Sequence, residues 1–370
     1  MVDELVSRIS DAPYMRRFVD RSLGVEGFLA ADLVDGALSF GGVRVAPSVD
    51  AETVSRLARC MTWKFAGHGI PLSGAKAGIR CRAQDATRPE VIALVEKHFG
   101  DLLRTQVIVG RDLGATNEFI DRCYAAVGID QLHLVPNPEC PARIRDLRGY
   151  RQHMTGLGVA WATDAALEFL GGSAQGARVL VQGSGRVGMG SALRLEQLGA
   201  SVIGISDIGG ALYSATGLPL AELIEATDQF GSIDRDRCDF RHHRLDRDAM
   251  LGLDADVVVL AADSHLVTVE LARTIRVPVV VEGANLAVVP GAEELLHSRT
   301  IRVIPDAIAS SSSAALVGHQ TARGNRYDPD ALWSDIERSI RKATRAAFES
   351  AEGTDKTIRE AFYDRLRAGV

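Results

Sequence analysis

Aromatic residues are scarce here, at 5% of 370 residues, and cysteines number five: Cys60, Cys81, Cys123, Cys140 and Cys238. The cysteines make no CxxC pair and no short metal-ligand spacing, so neither a disulfide framework nor a zinc site is signalled, and reduced thiols are expected. Long runs of Lys or Arg are missing and the net charge is -6, which removes the electrostatic footprint of a nucleic-acid binder. No apolar stretch exceeds strand length, so no membrane span is expected. The start, Met1 to Leu5, is acidic with no apolar signal core after it, and a cytoplasmic location is the expectation. Internal repeats and low-complexity segments are absent too.

The chain is 46% hydrophobic and 24% charged, a globular composition too apolar for disorder. Its length makes two domains the natural prior. After a short amphipathic start, residues 37–45 read as a strand interrupted by the pair Gly41-Gly42. From Asp50, an N-cap, Val54, Leu57, Ala58 and Met61 recur at helical spacing, and Lys64 continues that buried stripe. A lysine there either snorkels to water or meets an anion. Gly67, Gly69 and Pro71 stop the helix and deliver the chain to Ser73-Gly74-Ala75-Lys76-Ala77-Gly78, read as a glycine-rich loop. Small neighbours there leave room for a ligand to approach a displayed amine; the alternative is a solvated turn lysine. A helix from Thr87 and Pro89 to about His98 and a strand at 106–109 lead to Asp112, in a strand-to-helix loop of the kind that builds sites, before a helix from Thr116.

From Pro136 to Arg151 the composition shifts to Pro, Arg and Gly, which marks the domain boundary. The second domain opens with a helix to about Leu170 and the strand at 177–182. Then follow Gly183-Ser184-Gly185-Arg186-Val187-Gly188, a helix, the strand at 200–206, and Asp207, nineteen residues past the last glycine. This is the dinucleotide fingerprint in its proper context: glycines for the tight turn, for approach to a pyrophosphate and for helix packing, with free amides at a helix N-terminus. Asp207 would bond the ribose hydroxyls and repel a 2'-phosphate, which favours NAD over NADP. Later apolar runs suit a parallel sheet covered on both faces, and Glu282-Gly283-Ala284-Asn285 and Pro305-Asp306 would lie at its carboxyl edge. Beyond Asp328-Pro329 an amphipathic helix and a shorter one end the chain. The fold expected is therefore α/β: an N-terminal α/β domain over 1–148 and a doubly wound parallel-sheet (Rossmann) domain over 149–328.

Several stretches together resemble the glutamate, leucine, phenylalanine and valine dehydrogenase superfamily. They are Gly41-Gly42-Val43-Arg44, Met61-Thr62-Trp63-Lys64, Gly74-Ala75-Lys76-Ala77-Gly78, Asp112-Leu113-Gly114, Thr155-Gly156, the fingerprint with Asp207, and Glu282-Gly283-Ala284-Asn285. The resemblance implies a substrate and oligomerisation domain before the nucleotide domain, a catalytic cleft between them, helices of about 329–370 returning to the first, and a homo-oligomer. It implies reversible NAD-dependent oxidative deamination of an L-amino acid to the 2-oxo acid and ammonia. By match of position, Lys64 would hold the substrate α-carboxylate, with Gly41 and Gly42 beside it, and Lys76 would be the general base acting on an iminium intermediate. Asp112 would shuttle protons. Gly183, Gly185, Arg186, Val187, Gly188, Asp207, Thr155 and Asn285 would serve the cofactor, Asn285 at its nicotinamide side. Two ammonium groups in one partly apolar cleft depress each other's proton affinity, and an amine near neutrality can act as a base.

Glutamate-specific members of the superfamily carry a lysine before the Gly-Gly pair and a serine in a late helix. Here Phe40 and Val317 stand at those positions, and a carboxylate buried against them without a partner would cost several kcal/mol, on the order of 2–5. The expected substrate is accordingly an apolar amino acid such as leucine, valine or phenylalanine. The alternatives are glutamate, through Arg44 or Arg111 as another cation, and a regulatory NAD-binding protein without catalysis. Ser310-Ser311-Ser312-Ser313, in place of the family's Asn-Ala-Gly-Gly, and Arg111 before Asp112 are departures that prompt the last reading.

Overall fold

The computed structural model describes residues 2–129, 150–228, 231–323 and 328–369. The boundary expected between Pro136 and Arg151 therefore lies almost wholly outside the described residues. Two compact units form: Met1–Pro138 with Ala314–Tyr327 and Leu366–Val370, and Glu139–Ser313 with Asp328–Arg365.

The first unit runs α1 (Val2–Ser7), β1 (Tyr14–Asp20), β2 (Val25–Ala31), β3 (Ser39–Val45), α2 (Ala51–Gly67), β4 (Ser73–Arg80), α3 (Pro89–Thr105), β5 (Val107–Arg111) and α4 (Asn117–Val127). Its sheet has the order β1-β2-β4-β3-β5, antiparallel from β1 to β4 and parallel from β4 to β5. Caps behave as their residue types require: Asp50 accepts from the Thr53 amide at 2.7 Å and Thr116 from the Phe119 amide at 3.1 Å. α3 passes its expected end at His98, because Phe99, Leu102 and Leu103 continue the buried face. Their burial offsets the roughly 1 kcal/mol that Gly100 costs a helix interior.

Two segments differ from the sequence reading. Residues 1–36 contain the hairpin β1-β2, and the glycine-rich segment around Lys76 is not a loop but the central strand β4, paired on both sides. Glycine and alanine have poor strand propensity, so local pattern pointed to a turn; packing against α2 decides otherwise. A Cβ on Gly74 would run into the Ala58 carbonyl and Thr62 of α2, and one on Gly41 into the Ala75 carbonyl of β4. The small residues let helix and strands approach closely. Strand alternation sends Ala75, Ala77 and Ile79 into the core under α3 and α4. Gly74, Lys76 and Gly78 consequently face α2. β3 likewise runs without interruption through Gly41-Gly42.

The second unit comprises α5 (Tyr150–Phe169), β6 (Arg178–Gln182), α6 (Arg186–Gln197), β7 (Ser201–Asp207), β8 (Gly210–Tyr213), α7 (Leu220–Glu225), β9 (His243–Leu245), β10 (Val257–Leu260), α8 (Val269–Ala272), β11 (Val279–Glu282), α9 (Pro290–Ser298), β12 (Arg302–Ile304) and α10 (Asp306–Ala309). Its sheet order is β12-β11-β10-β6-β7-β8-β9, with β12 to β7 parallel and β8 and β9 added antiparallel at one edge. The order reverses beside β6, the switch point at which such sheets bind ligands.

α11 (Ser312–Arg323), α12 (Pro329–Ala351) and α13 (Ile358–Arg367) close the chain. Although the resemblance sends the helices of 329–370 to the first domain, residues 328–365 cluster with the second unit and 366–370 with the first. The reason lies on α12: Trp333 is fully buried near Trp161 of α5, at 6.2 Å between rings, and Arg341 pairs with Asp164 of α5 at 2.7 Å. None of the described helices is long and apolar enough to cross a membrane. No cluster of metal-ligating side chains occurs among the described residues.

Candidate active site and nucleotide site

Lys76 is 4% exposed on β4, and its Nζ lies 2.8 Å from Asp112 Oδ2, just beyond β5. Strand adjacency builds this pair: β3 lies between β4 and β5, and Gly42 on β3 leaves the space, since a Cβ there would come within 2.8 Å of the Asp112 Cβ. The same Oδ2 accepts a hydrogen bond from Arg44 Nε at 3.0 Å. Burial pushes the Lys76 amine below its ordinary pKa; Asp112 opposes the fall, while Arg44 and Lys64 add to it. Burial alone would raise the Asp112 carboxyl, but Lys76 and Arg44 overcome it and hold that carboxyl well below the usual carboxylate range.

Lys64 is buried at 4% exposure in the last turn of α2, so it does not snorkel to water. Phe40 packs edge-on against Phe65 at 6.2 Å between ring centroids. Gly318, the neighbour of half-buried Val317, abuts Ile70 and the same Phe65. Phe40 and the backbone beside Val317 are thus both near the Phe65 ring. Arg111 is exposed and the cations on Asp112 are Lys76 and Arg44. Arg111 adjoins Asp112 in sequence, yet register brings Arg44 to the carboxylate, because strand neighbours project to opposite faces. Gly41 owes its identity to the approach of β4, described above, and packing suffices to explain it.

The fingerprint forms the turn from β6 into α6. Gly183 takes φ +103°, and a Cβ on Gly188 would strike the Gly183 carbonyl, so both are demanded by the turn itself. Gly185 is different: a Cβ there would meet nothing within 4 Å, and this N-cap offers no side chain to the amides that open α6. Open space before uncapped amides fits a diphosphate. Gln182 and Ser206, buried at the carboxyl ends of β6 and β7, also have side-chain polar atoms without a hydrogen-bond partner among the described residues. The residues present therefore fit a dinucleotide.

Asp207 ends β7 where the ribose of such a cofactor belongs, but its oxygens are engaged. The amides of Gly209 and Ile233 donate to it at 2.8 and 2.7 Å, and the Arg235 guanidinium spans both oxygens. Burial would raise its pKa; Arg235 and the amides outweigh that and lower it. Arg235 was not among the sequence candidates, and no motif marks it. Thr155 Oγ1 lies 2.8 Å from Ser313 Oγ, and Ser312 Oγ donates to the Met154 carbonyl at 2.8 Å. The serine run thus fastens α11 to α5. Asn285 is half-buried after β11, followed by Leu286 at φ +53°. That left-handed backbone is strained for a leucine, a feature that concentrates at ligand-bearing turns.

Beneath that edge is a buried charge cluster which the sequence did not disclose. Glu282 accepts from the amides of Val288 at 2.8 Å and Asp306 at 3.0 Å, tying together the loops after β11 and β12. Arg359 of α13 pairs with Glu282, Glu293 and Asp306. Burial, with Asp306 and Glu293 nearby, pushes the Glu282 carboxyl up to about 7, against the pull of Arg359.

A buried lysine-aspartate pair in one α/β unit and a dinucleotide turn in a doubly wound second unit define a nucleotide-dependent dehydrogenase built in two parts. The chain belongs to the glutamate/leucine/phenylalanine/valine dehydrogenase family. Residues 149–364 match that family's model and residues 37–125 the model of its N-terminal dimerisation domain. It is 30% identical to a glutamate dehydrogenase of Thermotoga maritima over 87% of this chain and 79% of that one. It is 30% identical to an NAD-specific glutamate dehydrogenase of Staphylococcus aureus over 84% of this chain and 75% of the relative. Among solved structures it is similar to a hetero-hexameric glutamate dehydrogenase of Thermus thermophilus in a leucine-bound form, with TM-score 0.76 and 26% identity over 100% of this chain and 94% of the other. The Plasmodium falciparum glutamate dehydrogenase, at TM-score 0.75 and 17% identity, shares the fold over 99% of this chain and 84% of its own.

Proposed function

We propose that this protein is an NAD-dependent glutamate dehydrogenase, with Lys76 as its general base. The observation that carries the chemistry is the buried Lys76-Asp112 pair, and the substrate reading is supported by the names of relatives matched over most of their length. Lys64 would hold the α-carboxylate. Lys76, with its proton affinity depressed by burial and by two further cations, would take a proton from the water that attacks the iminium carbon. Asp112, held ionised, would relay protons between water, the amine and Lys76. NAD, when bound, supplies the acceptor for the hydride leaving the α-carbon. Gly183, Gly185, Arg186, Val187 and Gly188 would cradle its diphosphate, Asp207 its adenosine ribose, and Thr155 and Asn285 its nicotinamide end. The expected assembly is a homo-oligomer, in keeping with the dimerisation-domain description of the family's N-terminal model.

One observation favours a second reading, an apolar L-amino acid. Phe40 stands where a lysine would serve a second carboxylate and packs edge-on against Phe65, and Arg44, the cation two strand positions beyond Gly42, is engaged by Asp112. NAD reduction measured across the L-amino acids decides between them, and NAD binding without turnover on any amino acid would leave only the regulatory reading. If the apolar reading is right, Phe40→Lys should raise kcat/KM for glutamate by at least about tenfold and lower it for leucine, as a buried carboxylate gains a partner. A fall for both substrates would show that position 40 serves packing only.

The Gly185 geometry gives a check on the nucleotide turn that does not depend on the substrate. Gly185→Ala places a methyl group in open space, so unfolding should be unchanged. NAD affinity should fall by about tenfold or more as the methyl meets the diphosphate. Calorimetric titration read beside thermal unfolding separates the two effects.

A further inference from the structure

Lys76 and Arg44 share one oxygen. Asp112 Oδ2 lies 2.8 Å from Lys76 Nζ and accepts from Arg44 Nε at 3.0 Å, with the Arg44 side chain 12% exposed. Two cations on a single carboxylate oxygen cannot each be fully compensated by it. We infer that Arg44 is a positioning residue for the Lys76 amine: by taking a share of Asp112, it prevents a one-to-one Lys76-Asp112 ion pair. This inference rests on the reading of Lys76 as the base.

Register supports it. β3 lies between β4 and β5, so an arginine on the β3 face that carries Gly42 reaches the Asp112 carboxylate without displacing Lys76. The charged groups acting on Lys76 come from three directions: Asp112 beyond β5, Arg44 on β3 and Lys64 on α2. Asp112 is the only one that favours the ammonium form. A full ion pair with it would keep the proton on the amine, whereas a carboxylate already committed to Arg44 holds that proton less firmly. The arginine stays charged at every working pH, so its share of Asp112 is permanent.

The test separates this role from simple support of the fold. The chain has five lysines, so lysine labelled with ¹³C at Cε gives a small set of signals, and Lys76→Met assigns the one at issue. In Arg44→Gln the Lys76 signal should titrate about one pH unit or more higher than in the unaltered protein. The acidic limb of the kcat profile should move up with it, while Arg44→Lys, which restores a cation, keeps both near their original positions. If Arg44→Gln lowers activity with the titration of Lys76 unmoved, Arg44 merely supports the fold and the inference is overturned. Should Arg44→Gln not fold, a Lys76 titration shifted upward in the charge-retaining Arg44→Lys variant would overturn it as well. If the Lys76 signal moves while the kcat profile stays, the inference stands and it is the assignment of Lys76 as base that fails.

Discussion

Replacing Lys76 with methionine is expected to lower kcat by about 10²–10⁴-fold, the range that general acid-base groups contribute, with NAD affinity unchanged. Methionine keeps the volume of the lysine stem, and Asp112 keeps Arg44 as a partner, so the substitution removes the amine without stranding a carboxylate. The fold should survive. Steady-state rates with saturating substrate, beside calorimetric NAD titration, make the comparison. A loss smaller than about tenfold would mean that the amine only fills the sheet. Amines added to the assay should partly restore the rate of Lys76→Met, since the vacated ammonium position opens toward Asp112.

The second large effect is on stability. Arg359→Met removes the cation shared by Glu282, Glu293 and Asp306, of which Glu282 and Asp306 are fully buried. Stranding a buried charge in this way costs about 3–5 kcal/mol. The unaltered protein should already show the strain as a pH dependence. Glu282 is raised from 4.5 in the unfolded chain to about 7 in the folded one, so the folded state holds that proton more tightly. Its contribution is complete below about pH 4.5 and drains away as pH rises through 7, so stability from this group falls across that window. Arg359→Met should steepen the fall, because an uncompensated carboxylate favours its neutral form still more. Glu282→Gln should flatten it. Urea unfolding midpoints between pH 5 and 8 test all three, and a Glu282→Gln profile parallel to the original would exclude Glu282 as the source.

The C-terminal helix gains meaning from this cluster. α13 contributes Arg359 to the turn that carries Asn285, and its last residues belong to the first unit, where Arg367 stacks over the ring of Trp63 at 5.3 Å. Trp63 adjoins Lys64 on α2. The short helix that ends the chain therefore has residues in both units.

Where local rules govern, the sequence was enough. The fingerprint turn needs only glycines at fixed offsets and an acid after the next strand, and the structure has β6, α6, β7 and Asp207 in that order. The caps Asp50 and Thr116 and the parallel core strands β10, β11 and β12 follow from residue types and periodicity. Lys64 was legible as a candidate because it continues a buried stripe, Lys76 because its small neighbours leave room for a ligand, and Asp112 because it follows a strand in the loop before a helix.

Tertiary structure decided what depends on partners distant in sequence. Ser73–Arg80 became a strand because β2 and β3 supply hydrogen bonds on both sides and α2 demands small residues; neither is visible within the segment. Arg44 joined Asp112 across 68 positions, Arg235 joined Asp207 across 28, and Arg359 met Glu282 across 77. Charge pairing has no sequence period, because it follows whichever elements the sheet order brings side by side. The sequence by itself determined which chemical groups the protein owns and the local turns that present them; only the folded sheets decided which cation each carboxylate holds.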